Sequence, residues 1–254
     1  MTDTIATSSS SHEGNRCHHN PTVSCGDCRL NAICLPISLQ IDDIDRVDEI
    51  IQRGRPLQKG DHLYRAGDKF QSVYAVRSGT LKAVTITNDG QEQVTGFYLP
   101  GEIIGMDGLA HNSHTNTASA LETASVCEIP FTRLEELSLK IPTMQRHFFQ
   151  LMSKEITSDQ KLITMLSKNS ADERVAALLL SISSRNHRRQ LSPTDFRLPM
   201  SRSDIGNYLG LTIETVSRVF GRLQKSGVLI VDKKDICIAD MEGLKQVAKA
   251  TAAG

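Results

Sequence analysis

Residues Ser201–Gln224 read SRSDIGNYLGLTIETVSRVFGRLQ, and this stretch decides how the C-terminal third of the chain folds. Ser201 is placed to cap a helix whose third position is Asp204, a near relative of the Ser-x-x-Glu capping box. Ile205, Tyr208 and Leu209 give that helix an apolar side. Gly210 stops it where a left-handed residue is wanted. Thr212 then caps a second helix, on which Ile213, Val216, Val219, Phe220 and Leu223 are spaced to face inward. Glu214, Ser217 and Arg218 fall at i, i+3 and i+4 on the opposite face. Val228–Val231 and Asp235–Ile238, joined by Asp232-Lys233-Lys234, follow as a predicted hairpin. The pattern predicts a winged helix-turn-helix, with the exposed trio in the first turns of the second helix, where such proteins reach base edges. Arg makes a bidentate contact to guanine O6 and N7, and Glu accepts from cytosine N4. Ser217 is expected on a thymine methyl, a base edge or a phosphate, with Arg202, Arg222, Lys225, Lys233 and Lys234 as phosphate candidates. The expected partner is double-stranded DNA.

Charge fits this placement. The net charge is zero, but residues 1–169 carry 16 Lys/Arg against 20 Asp/Glu, and residues 170–254 carry 13 against 9. A basic end on an acidic remainder implies that only the end meets a polyanion. With 39% hydrophobic and 23% charged residues, the chain has the composition of a soluble globular protein. Its length allows one large domain or two ordinary ones. No apolar run is long enough to span a bilayer, and the N-terminus has no secretion pattern. The cytoplasm is the expected location.

Working toward the N-terminus, residues 170–254 are expected to form the DNA-binding domain, with a helix over Asp172–Ser184 and a basic loop over Arg185–Arg197. Residues 131–169 are expected to be a helix pair: Phe131–Leu139, then a longer helix opened by Pro142, which suits a first turn. Between 53 and 130, short alternating or β-branched runs (His62–Arg65, Ser72–Arg77, Thr80–Thr87, Gln93–Tyr98, Ser125–Ile129) are separated by Gly60, Gly67, Gly79, Gly90 and Gly101. That texture predicts an antiparallel barrel or sandwich. Residues 16–52 hold a cysteine-rich segment and a short helix over Ile41–Gln52, and residues 1–15 are Ser/Thr-rich and expected to be disordered. The fold class is α+β.

Of the six cysteines, Cys25, Cys28 and Cys34 lie within ten residues, which favours metal chemistry over a disulfide framework. The spacing brings three thiolates to one small object, and a fourth ligand must come from elsewhere. Four-cysteine sites suit zinc or an iron–sulfur cluster, and spacing does not separate the two. The cysteine segment, the β-rich middle, the long helix and Glu214-x2-Ser217-Arg218 together resemble the Crp/Fnr family, in particular its oxygen-sensing iron–sulfur regulators, over about Cys25 to Leu244. The resemblance implies a β-roll of the cyclic-nucleotide-binding type and an oxygen-labile [4Fe-4S] cluster on Cys25, Cys28, Cys34 and Cys127. It also implies a contact with RNA polymerase, for which the Asn88–Glu92 loop is the candidate. Cys17 and Cys237 have no role in the pattern. Cys237 is taken as a small apolar wing residue.

Cyclic-nucleotide binders place a Gly-Glu pair and an Arg-Ser pair around the phosphate. Here Gly105-Met106-Asp107-Gly108 and Thr115–Ser119 occupy that region, and no Arg lies between His111 and Ala124. The roll is therefore expected to be a scaffold that takes no cyclic nucleotide. Phe149, Met152, Ile156, Asp159, Ile163 and Leu166 recur at alternating three- and four-residue spacing, a coiled-coil seam with a carboxylate in its middle. In a parallel homodimer the two Asp159 side chains approach and oppose association. The expectation is a marginal dimer that forms when the cluster is loaded and presents two helix-turn-helices to a palindromic operator. No nucleophile–base pair or Gly-rich phosphate loop points to an enzyme. The rival readings are a zinc-stabilised or a nucleotide-responsive regulator.

Overall fold

Eight short strands between residues 52 and 130 pair into two four-stranded antiparallel sheets. The computed structural model describes residues 24–34 and 39–249, so the tail expected at 1–15 and Cys17 lie outside the described residues. One sheet joins β1 (Gln52–Arg53), β8 (Ser125–Pro130), β3 (Ser72–Ser78) and β6 (Ile103–Ile104) in that order. The other joins β2 (His62–Tyr64), β7 (Thr117–Ala120), β4 (Leu81–Ile86) and β5 (Glu92–Tyr98). Their facing side chains, including Val76, Leu81, Ala83, Ile104 and Ala118, form the core of a β-roll. The β3–β4 turn depends on Gly79, whose φ is +73°. A Cβ there would stand 2.5 Å from the Thr123 carbonyl oxygen, so only glycine fits.

Three of these strands were not predicted. β1 and β6 are two residues each, too short to display a period. β7 reads Thr-Ala-Ser-Ala, with little β-branching, yet it pairs with both β2 and β4. Tertiary pairing overrides its weak local preference.

Helix α1 (Ile41–Ile50) precedes the roll and buries Val47 completely. Ile51, expected inside it, is the extended residue that ends it. After the roll, α2 (Phe131–Lys140) and α3 (Pro142–Lys168) follow, with Pro142 in the first turn of α3. Leu134, Leu137, Ile141 and Met144 share a core with Val47, Val73 and Ile129, so α1, α2 and the start of α3 clamp one end of the roll. With 27 residues, α3 is about 40 Å long.

The C-terminal domain begins at α4 (Ala171–Arg188), capped by Ser170 and Glu173 in a reciprocal capping box. α4 runs past its expected end, and the basic loop expected over Arg185–Arg197 is shortened to residues 189–194 by a last helical turn and by strand β9 (Asp195–Arg197). β9 pairs with β11 (Asp235–Ile238), which pairs with β10 (Leu229–Asp232), making the wing three-stranded. The longer helix has a physical reason: the Arg185 guanidinium is mostly buried, donating to the Glu102 carboxylate and the Phe97 carbonyl of the roll. α5 (Arg202–Leu209), α6 (Ile213–Lys225) and α7 (Met241–Val247) complete the domain.

This domain packs on the roll. Val84, Val94, Phe97 and Leu121 belong to the same apolar cluster as Leu179, Ile205, Leu209 and Val216. Lys82 Nζ stands 2.8 Å from the Asp204 carboxylate. The Asn207 side chain donates to the Glu92 carbonyl at 2.6 Å and accepts the Val94 N–H. Arg174 ties three helices together, donating to the carbonyls of Leu166, Asn169 and Leu209. Two of these carbonyls, Leu166 and Leu209, lie in the last turns of α3 and α5, where no partner exists within the helix.

Candidate functional site

The loop at 24–34 winds through consecutive tight turns. Cys28 N–H donates to the Cys25 carbonyl, Asn31 N–H to that of Cys28, and Cys34 N–H to that of Leu30. The winding turns Cys25, Cys28 and Cys34 toward one cavity, whose opposite wall includes Cys127 and Arg53 from the roll. None of the four is in a disulfide. Cys127 sits on β8 directly opposite Arg53 of β1. Burial pushes both the Cys25 and Cys127 thiols up; at Cys127 the Arg53 and Arg77 guanidiniums oppose the rise. Desolvation at this cavity disfavours the thiolate forms of Cys25 and Cys127, and a positive centre held among them would favour those forms. Among the described residues, no three Cys, His, Asp or Glu side chains are drawn tightly enough together to hold one metal ion. The thiols surround a space rather than a point.

Three residues here escaped the sequence reading. Asp48 accepts the Cys25 N–H at 2.9 Å and ion-pairs with Arg53. Burial works against this carboxylate, but Arg53 and the Cys25 N–H outweigh it and hold it below the ordinary range. The pair straddles the end of α1, where no periodic signal exists. His147, buried at the start of α3, lies in hydrogen-bonding contact with the Cys34 backbone, linking the cysteine loop to the long helix.

The second site is α6. Thr212 caps it through the Thr215 N–H at 3.2 Å, and the Ser201–Asp204 capping box of α5 is complete. Gly210 has φ +63°, the left-handed turn expected. Val216, Val219, Phe220 and Leu223 are buried, and Glu214, Ser217 and Arg218 are exposed on the other face. Ile213, expected inward, is 48% exposed; as the first helical residue it lies beyond the partner helix's reach. Backbone N–H and Thr212 hydroxyl contacts hold the Glu214 carboxyl below its ordinary range, with Arg218 nearby adding to the effect. Three phosphate candidates are engaged within the fold: Arg202 stacks on Phe220, Arg222 pairs with Asp172, and Lys234 donates to the Pro199 carbonyl. Lys225 and Lys233 are exposed. Cys237 is half-buried with its thiol hydrogen-bonded to Asp195, so it is less apolar than expected.

On α3, Phe149, Ile156 and Ile163 are 57–65% exposed. Asp159 is exposed on the same helix, and Met152 and Leu166 are half-buried. Between α3 and the roll lies a pocket lined by Tyr64, Tyr98, Asp107, Asn116, Glu155 and Asp159. The Tyr98 hydroxyl donates to Glu155 at 2.9 Å. Burial pushes Glu155 upward against the lowering effect of that bond. Asp107 accepts the N–H groups of Thr115 and Asn116 at 2.7 and 3.2 Å, and the His114 ring, stacked on Tyr64, faces its carboxylate.

A roll, a long helix and a winged helix-turn-helix with an exposed polar face on its second helix define a two-domain DNA-binding regulator. Family comparison agrees: residues 54–140 match the cyclic nucleotide-binding domain and residues 173–247 the Crp-like helix-turn-helix domain. The chain belongs to the Crp/Fnr family of transcription regulators. It is 51% identical to the transcriptional activator protein FnrA of Stutzerimonas stutzeri, over 88% of this chain and 92% of that one. It is 48% identical to the fumarate and nitrate reduction regulatory protein of Escherichia coli K12, over 90% of this chain and 92% of that one. Among solved structures, FixK2 from Bradyrhizobium japonicum superposes with a TM-score of 0.72 at 29% identity, covering 80% of this chain and all of that one. No helix among the described residues is long and apolar enough to cross a membrane.

Proposed function

We propose that this protein is an oxygen-responsive transcription regulator of the cytoplasm that binds a palindromic operator as a homodimer when Cys25, Cys28, Cys34 and Cys127 hold a [4Fe-4S] cluster. The observation that carries this reading is the cavity on which these four cysteines converge. The donor set fits: four thiols suit the four irons of such a cluster, and their placement around a space suits an object larger than one ion. A single zinc needs its sulfurs about 2.3 Å from one point. When bound, the cluster supplies an oxygen-labile cross-link between the loop and β8.

This chain's own residues carry the consequence. Cys34 reaches α3 through His147, and Cys127 packs against the core shared with α2 and α3. Ordering the loop therefore steadies the first turns of α3. Farther along, α3 offers Met152, Ile156, Ile163 and Leu166 to a partner, opposed by Asp159. On α6, Glu214, Ser217 and Arg218 read bases. RNA polymerase contact falls to the exposed tip at Asn88–Glu92. Asp107 occupies the Thr115 and Asn116 N–H groups, and Glu155 and Asp159 add negative charge to the same pocket, which disfavours a cyclic nucleotide phosphate. Anaerobically isolated protein is expected to be brown, with about four irons and four sulfides per chain, and to bleach and become monomeric in air. Colourless protein with one tightly held zinc overturns the reading.

A further inference from the structure

We infer that Arg53, aimed by Asp48, is the cationic hydrogen-bond donor of the cysteine cavity, and that it governs how firmly the cavity holds its group and at what potential. The inference rests on the cluster reading and adds a residue outside the four ligands.

Three observations place Arg53 there. It is the cross-strand partner of Cys127, and side chains directly opposite on an antiparallel pair share a face. Its guanidinium lines the cavity and is in electrostatic contact with both Cys127 and Cys25, which come from opposite walls. Among the described residues its Nε–H is buried with no acceptor, although its Nη2 is taken by Asp48. A buried donor without a partner is costly and calls for an explanation. A sulfur acceptor carrying negative charge within the cavity supplies one.

Asp48 explains the aim. Its carboxylate accepts from Arg53 and from the Cys25 backbone at 2.9 Å, so one side chain fixes the guanidinium relative to the first ligand. With Nη2 taken by Asp48, the adjacent Nε–H of the planar fork is the donor assigned to the cavity. A lysine keeps the charge but not the fork. Four thiolates carry more negative charge than an apolar cavity tolerates. A cation beside them favours the loaded state and raises the reduction potential of a bound cluster.

The rival interpretation makes Arg53–Asp48 a strap that merely closes α1 onto β1. Anaerobically loaded wild type, Arg53→Gln, Arg53→Lys and Asp48→Asn separate the two. The readouts are visible absorption, the rate of iron release to a chelator, and the cluster midpoint potential. Arg53→Gln is expected to release iron at least fivefold faster and to show a lower midpoint. Arg53→Lys is expected to restore most of the midpoint. Asp48→Asn, which leaves the cation and removes the neighbouring negative charge, is expected to raise the midpoint while also speeding release. If wild type loads and Arg53→Gln matches it in midpoint and release rate, the inference is overturned and the cluster reading stands. If wild type takes no cluster, the cluster reading itself fails. Should Arg53→Gln not fold or load, Asp48→Asn decides: a raised midpoint supports the role, and an unchanged or lowered one overturns it.

Discussion

Arg218→Ala is the sharpest test of the DNA-reading face. Arg218 is exposed, and among the described residues its one hydrogen bond goes to the Thr215 hydroxyl at 3.2 Å. Removing it therefore changes stability by no more than about 0.5 kcal/mol, as for other surface sites. Its loss appears in DNA binding instead. One bidentate arginine–guanine contact is worth roughly 1–3 kcal/mol of discrimination, and a homodimer on a palindrome makes the contact twice. The combined loss is about 2–6 kcal/mol, or roughly 30-fold to more than 10⁴-fold in affinity. The assay is a titration of anaerobic protein with operator DNA at fixed salt, repeated with the guanine of each half-site replaced. The wild type should lose affinity on base replacement, and Arg218→Ala should be indifferent to it. The slope of affinity against salt should stay near the wild-type value, because a base contact releases no phosphate counterion. A loss below threefold, or equal sensitivity of both proteins to the replaced base, refutes the assignment.

Other perturbations reach the remaining parts. Cys127→Ala should leave colourless protein that folds but does not retain iron, by absorption and metal assay. Partial desolvation beside the α3 pocket holds the exposed Asp159 carboxyl above its ordinary range, and pairing two copies raises it further, so dimers should tighten as pH falls from 7.5 toward 5.5; Asp159→Asn should dimerise in air with that pH dependence flattened, both read by sedimentation. Arg185→Met leaves the partly exposed Glu102 with only the Leu99 N–H, and should cost about 2 kcal/mol, less than a fully buried pair, in thermal unfolding. Gly79→Ala should cost distinctly more than Gly90→Ala: both have positive φ, but only at Gly79 does the new Cβ strike backbone, so a strain of about 1 kcal/mol gains a steric part.

The helix-turn-helix was legible because each signal in it is local. Capping side chains, a left-handed glycine and a 3.6-residue period all lie within about one turn of the residues they govern. The same holds for Pro142 at the start of α3 and for the turn glycines of the roll. What stayed hidden depends on residues far apart in sequence. β7 is a strand because β2 and β4 flank it. Arg185–Arg188 stays helical, and Arg185 turns inward, because Glu102 and the Phe97 carbonyl wait 83 and 88 residues away. Cys127 was identified by resemblance alone, since a lone cysteine on a strand carries no spacing. Its register opposite Arg53 required the sheet. Arg53 and Asp48 have no motif of their own, and only the fold gives them a common target.

The placement of the recognition helix bears on how DNA reading is controlled. Every polar contact named between the roll and the helix-turn-helix falls on α5, through Asp204 and Asn207, or on α4, through Arg185. None of these polar contacts falls on α6, whose Val216 only shares the apolar cluster, and Glu214, Ser217 and Arg218 stay exposed in the single chain. Docking on the roll therefore does not mask the reading side chains, and a mechanism based on uncovering them has nothing to uncover. What a single chain lacks is the second half-site: two α6 helices must stand about 34 Å apart to enter successive major grooves on one face of the duplex. In the proposed dimer that separation is set by pairing along α3 and passed on through Arg174, which holds the end of α3 against α4 and α5. The proposed dimer would then be controlled at the seam around Asp159 and not at the DNA-reading surface. An Asp159→Asn dimer should accordingly bind operator in air with nearly the affinity of anaerobic wild type, and a dimer that forms but does not bind would return the control to the docked domain.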